Sequence, residues 1–76
     1  MEMDIDLHEL TVDQARYELI SAIECANNTI WTIRVIHGYN KGTAIREMVS
    51  RLRHKRIKKI IRGDINPGTT IIELYH

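Results

Sequence analysis

The chain has 76 residues, a formal net charge of +1, 43% hydrophobic and 28% charged residues, proportions of an ordinary folded domain that exclude a disordered polar tail. No apolar run reaches the ~18 to 20 residues that span a bilayer, and the acidic start Met1-Glu2-Met3-Asp4 is unlike a signal peptide, so a cytoplasmic chain with no membrane partner is expected. The single cysteine, Cys25, excludes an internal disulfide, and no Cys/His zinc spacing appears.

The first element is a strand by alternation: Met3, Ile5 and Leu7 point one way, and Asp4, Asp6 and His8 the other. Thr11 then offers a helix N-cap, with Gln14 three residues on completing a capping box and Leu10 placed as a hydrophobic staple. Val12, Ala15, Leu19, Ala22, Ile23 and Ala26 follow at helical spacing, which predicts a helix over 12–27 with Asn27-Asn28 as a left-handed exit. Cys25 falls inside that apolar pattern and is expected to be a buried, inert thiol. A β-branched run, Ile30 to Ile36, reads as the second strand, and Thr43 to about Arg53 as the second helix. Arg56 to Arg62 reads as a third strand, Asn66-Pro67-Gly68-Thr69 as a type II turn, and Thr70 to Tyr75 as a fourth strand.

The order strand, helix, strand, helix, strand, strand predicts one domain over residues 1–76, an α/β two-layer sandwich with both helices on one face of a four-stranded sheet. The open face then carries Asp4, Asp6, His8, Thr32 and Arg34. Charge is unevenly divided: residues 1–33 carry net −6 and residues 34–76 net +7. Seven lysines and arginines (Arg51, Arg53, Lys55, Arg56, Lys58, Lys59, Arg62) fall within twelve positions. Such a cluster is either a phosphate-binding footprint or a solvated helix end followed by an edge strand protected by lysine.

Between the second strand and the second helix runs His37-Gly38-Tyr39-Asn40-Lys41-Gly42-Thr43, a strand, loop, helix junction with two glycines and a lysine. The backbone near Gly42 and Thr43 is either an anion cradle at a helix start, with Lys41 and Arg46 as phosphate clamps, or a tight turn whose glycines supply unusual dihedral angles. Tyr39 is the best placed aromatic for stacking on a base. In parallel α/β units ligands bind beyond the carboxyl ends of the strands, where His8 closes the first strand and His37 the second. Asp6 lies two residues before His8 on the same strand face and could orient an imidazole for acid/base work. The alternative for each histidine is a polar strand-end residue bonded to loop backbone.

Asp6-Leu7-His8, Ile36-His37-Gly38-x-x-Lys41-Gly42-Thr43 and the final Gly68-Thr69-Thr70-Ile71-Ile72-Glu73-Leu74 together resemble the small MutS-related (Smr) domain over nearly the whole chain. The resemblance implies a mixed sheet similar to that of the C-terminal domain of bacterial translation initiation factor three, with the fourth strand inserted antiparallel between the second and third. It also implies binding to DNA or RNA, alone or as part of a larger repair or RNA-processing protein, and nicking or cleavage of phosphodiester bonds, an activity that either uses Mg2+ or another divalent metal or proceeds by acid/base chemistry with no cofactor. Carried onto this chain, it implicates Asp6, His8 and His37 in catalysis and Gly38 and Gly42 as close-approach backbone. Tyr39, Lys41, Thr43, Arg46, Arg51, Arg53, Lys55, Arg56 and Lys59 complete the expected nucleic-acid surface. The chain departs from the family pattern twice: Glu9 stands where a glycine follows the first histidine, and the second motif is one residue longer. The competing expectation is therefore a non-catalytic DNA- or RNA-binding module with a degenerate active site.

Overall fold

In a computed structural model of the chain, residues 1–38, 43–62 and 68–75 are described. The elements run β1 (Glu2–Asp6), α1 (Val12–Cys25), β2 (Thr32–Ile36), α2 (Ala44–Ser50), β3 (Ile57–Arg62) and β4 (Thr69–Leu74). The sheet order is β1-β2-β4-β3. β1 lies parallel to β2 with Asp4 beside Arg34 and Asp6 beside Ile36. That pairing requires a crossover, which α1 supplies. β4 is antiparallel to both β2 and β3, so the chain places its last strand in the sheet interior, as the resemblance implied.

Alternation decides which face is buried. Ile33 and Val35 of β2, and Thr70, Ile72 and Leu74 of β4, point to the helices and are almost fully buried. α1 adds Ala15, Leu19 and Ile23, and α2 adds Met48 and Val49. Leu19 is 0% exposed, so Leu19→Ala removes a core side chain at a cost of about 2–5 kcal/mol. Among the described residues no second layer covers the opposite face. Asp4 and Arg34 pair across it at 2.7 Å, and the Asp4 carboxylate raises the Arg34 guanidinium above its ordinary value. Toward β3 one row of the open face turns apolar, where the register sets Arg34 beside Ile71 and Ile71 beside Ile61, while the next row pairs Glu73 with Lys59.

The start of α1 follows the sequence. Thr11 Oγ1 accepts the Gln14 N–H at 3.1 Å, and Gln14 Oε1 accepts the Thr11 N–H at 3.1 Å. Its end does not. The cap is Ala26 in extended conformation, and among the described residues no non-glycine has positive φ. Arg56 takes over the work expected of the asparagines: Nη1 donates to the carbonyls of Ile23 and Ala26 at 2.7 and 2.8 Å, satisfying two acceptors at a helix C-terminus. The backbone N–H of Arg56 in turn donates to His54 Nδ1, which leaves His54 Nε2 facing Glu24 at 3.4 Å. Cys25 is exposed rather than buried, since it lies off the Ala15, Leu19, Ile23 stripe. The second helix stops at Ser50, with Arg51 as its cap, short of the expected Arg53. The Asn66-Pro67 turn lies outside the described residues.

Candidate functional site

Beyond the carboxyl ends of β1 and β2 the chain makes two adjoining turns. Leu7 extends the parallel ladder by donating to the Ile36 carbonyl at 2.7 Å, and Leu10 N–H closes a turn on the Leu7 carbonyl at 3.2 Å. That turn holds His8 beside Asp6. Asp6 Oδ1 accepts from the His8 backbone N–H at 3.1 Å and lies 2.5 Å from His8 Nδ1. These two bonds, the side-chain bond first, hold the Asp6 carboxyl below its usual 3.8. An ionised carboxylate only accepts, so Nδ1 carries the proton it shares with Asp6. Nε2 lies 3.5 Å from Glu9 Oε1, and both side chains are at least half exposed.

His37 is built differently. It is 4% exposed. Its Nδ1 lies 2.9 Å from the Gly38 carbonyl and its Nε2 2.8 Å from Thr70 Oγ1. The carbonyl can only accept, so Nδ1 donates and Nε2 takes the Thr70 hydroxyl hydrogen. Both ring nitrogens are occupied, so His37 braces the second turn against β4. The backbone repeats the brace: the N–H groups of His37 and Gly38 both donate to the Gly68 carbonyl, at 2.9 and 3.0 Å. Gly38 takes φ +73°, and a Cβ built on it would meet His8 Cβ at 3.3 Å. Among the described residues, His8 is thus what a side chain added at Gly38 would meet.

A cleft of about 240 Å³ opens over this junction, with His8, Glu9, Thr11, His37, Ala44 and Ile45 in its lining. Asp6 bonds to His8, and His8 and His37 share the cleft, with Gly38 beside His8. Thr43 stands at the α2 N-cap, exposed and without a side-chain cap bond. Arg46 is half-buried on α2 and lines neither the cleft nor the neighbouring groove. Tyr39, Lys41 and Gly42 lie outside the described residues. Of the basic cluster, Arg51 and Arg53 line a groove between α1 and α2, Lys59 with Lys58 lines a shallower depression against β3, and Lys55 is exposed. Arg56, expected among the phosphate contacts, has Nη1 committed to the end of α1. Among the described residues no group of three or more His, Cys, Asp or Glu could hold a metal ion. Asp6 Oδ1 is already shared between two His8 donors. The donor set does not form a protein-only metal cage.

Thr70 and Arg16 are the residues that sequence reasoning missed. Thr70 lies 33 positions from His37, and only the antiparallel β2–β4 register brings them together. Arg16 sits in the acidic half of the sequence, yet the packing of α1 on α2 puts it in the same groove as Arg51 and Arg53.

The sequence profile of the Smr domain matches residues 5–74. The crystal structure of the Smr domain of Thermus thermophilus MutS2 is similar, with a TM-score of 0.79 and 31% identity, over 97% of this chain and 99% of that one. Among curated proteins, none matches the sequence. No helix among the described residues is long and apolar enough to cross a membrane.

Proposed function

Since the chain belongs to the Smr domain family, we propose that it binds DNA or RNA and that the Asp6–His8 pair performs acid/base chemistry on a phosphodiester bond. The observation that carries this reading is the 2.5 Å contact between Asp6 Oδ1 and His8 Nδ1 at the mouth of the cleft. A carboxylate on one imidazole nitrogen fixes the tautomer, so that Nε2 takes a proton from an attacking water or hydroxyl. As the new P–O bond forms, the bond to the leaving oxygen breaks, and that oxygen is protonated by solvent or by the imidazolium. His37 contributes by position: its ring and backbone hold Gly38 at the turn beside His8. Phosphates are held by Arg51, Arg53, Lys55 and Lys59, with Lys41 and the loop backbone as further proposed contacts. Mg2+ or another divalent metal would supply Lewis-acid stabilisation of the phosphate; among the described residues no group of three His, Cys, Asp or Glu would hold it without further ligands.

A second reading, a binding module without cleavage, rests on Glu9. Its carboxylate stands 3.5 Å from His8 Nε2, where it competes with a phosphate for the same imidazole. Nicking of supercoiled plasmid and cleavage of labelled RNA, each with Mg2+ and with EDTA, separate the two. Cleavage that His8→Ala abolishes supports the catalytic reading. Binding without cleavage, with activity appearing in Glu9→Gly, supports the second.

A further inference from the structure

Three depressions adjoin one another on the surface, and each shares lining residues with the next. The cleft at His8 shares Val12 and Ala44 with a groove of about 560 Å³ between α1 and α2. That groove shares Leu52 and Arg53 with a depression of about 320 Å³ beside Lys58 and Lys59. The middle groove has two kinds of wall. Val12, Ile20, Met48 and Leu52 supply apolar surface, and Arg16, Arg51 and Arg53 supply positive charge against one lining carboxylate, Glu47. Arg16 leans on Asp13 at 3.2 Å, a pair whose acidic member is 95% exposed and which water and salt screen. Among the described residues no carboxylate lies within ion-pair distance of Arg51 or Arg53.

From this arrangement we infer that the α1–α2 groove is the track for an unpaired nucleic-acid strand, leading from the Asp6–His8 cleft toward β3, with bases against the apolar floor and phosphates on Arg16, Arg51 and Arg53. The inference rests on the proposed nucleic-acid function and adds the form of the substrate. The charge calls for an anionic occupant, and the floor calls for one with an apolar face. An unpaired base has such a face, and a guanidinium plane also stacks on it. A base inside a duplex has both faces covered by its neighbours and presents only edges and phosphates. Continuity with the cleft explains why the groove belongs to the substrate strand: a phosphate placed at His8 sends the chain into the groove past Val12 and Ala44.

Fluorescence anisotropy tests this with a labelled, unstructured 12-nucleotide DNA, the same sequence as RNA, and the DNA annealed to its complement. The single strands bind at least tenfold tighter than the duplex. In Arg16→Glu/Arg51→Glu, whose fold is checked by circular dichroism, single-strand affinity falls at least tenfold. The slope of log affinity against log salt shrinks by about 1.4, the share of two phosphates on a single strand. Equal or tighter binding of the duplex overturns the inference, and that comparison needs only the wild-type protein should the double variant misfold. So does a folded double variant with unchanged affinity and slope, and if Lys55→Glu/Lys59→Glu then weakens binding, nucleic-acid binding stands while the track does not. Failure of all three probes to bind removes the nucleic-acid reading itself.

Discussion

Gly38 and His8 meet where the two strand-end turns touch: the φ of +73° at Gly38 directs its backbone toward His8, and an added Cβ would stand 3.3 Å from the Cβ of His8. The absence of a side chain at Gly38 thereby leaves room for His8, in addition to allowing the left-handed turn. Gly38→Ala places an L side chain in the left-handed region, at a cost of about 1–2 kcal/mol. It also pushes on the turn that pairs His8 with Asp6. Urea unfolding should show that loss of stability, and the His8 ring resonances should shift in the folded variant.

The Asp6–His8 pair has a signature in acid. With its carboxyl held below 3.8 by the two His8 bonds, Asp6 binds fewer protons folded than unfolded at pH near that value. Its contribution to stability is therefore complete above about 3.8 and is lost as pH falls through the depressed folded value. Carbon-detected NMR titration should place Asp6 below 3.8 in the wild type, and higher in His8→Ala, where the side-chain bond is gone. An Asp6 midpoint unaffected by His8→Ala would dissolve the pair in solution.

His37 and His8 should respond to mutation in different ways. His37→Ala leaves the buried Thr70 hydroxyl without its partner, at a cost of about 1–3 kcal/mol, and Thr70→Val in the same background should recover part of it. If the ring acts only as a brace, a folded His37→Asn protein keeps the shape of its pH–rate profile while losing stability. A profile that changes shape in His37→Asn would return the second histidine to the chemistry.

Within the basic cluster, Arg56 and Lys55 should part company. Arg56→Met unseats two charge-assisted bonds to the end of α1, so its thermal midpoint should fall with a loss of about 1–3 kcal/mol. Lys55 is exposed, and Lys55→Glu should weaken DNA or RNA binding with stability within about 0.5 kcal/mol of wild type. The opposite pattern would mean that Arg56 is the phosphate contact and Lys55 the structural residue.

What was legible in the sequence is what local rules control. Thr11 and Gln14 form the capping box because three residues of spacing suffice to build it, and the alternation of Met3, Ile5 and Leu7 reads directly as a buried strand face. The position of β4 inside the sheet came from the family resemblance, since periodicity identifies a strand without naming its neighbours. Asp6 and His8 were legible as a pair for the same reason of short spacing. The brace at His37 was not: an exposed strand-end histidine and a buried one look alike in sequence until Thr70, 33 positions away, comes to its Nε2. Arg56 was read by its charge, whereas its role depends on where α1 ends in space. Arg16 was passed over because the charges flanking it in sequence are acidic, although its neighbours across the helix packing are Arg51 and Arg53.

The most direct test of the account is the pH dependence of single-turnover cleavage for wild type, His8→Ala and Asp6→Asn on one labelled substrate. The account predicts a wild-type rate that changes between about pH 5.5 and 8, the range in which histidine titrates. It predicts a fall of roughly 10²- to 10⁴-fold in His8→Ala with substrate binding little changed, and nearly as large a fall in Asp6→Asn. Loss of the inflection in His8→Ala assigns it to that ring. Equal residual cleavage in wild type and His8→Ala, with the same pH profile, would contradict the central claim and leave the domain as a nucleic-acid-binding module.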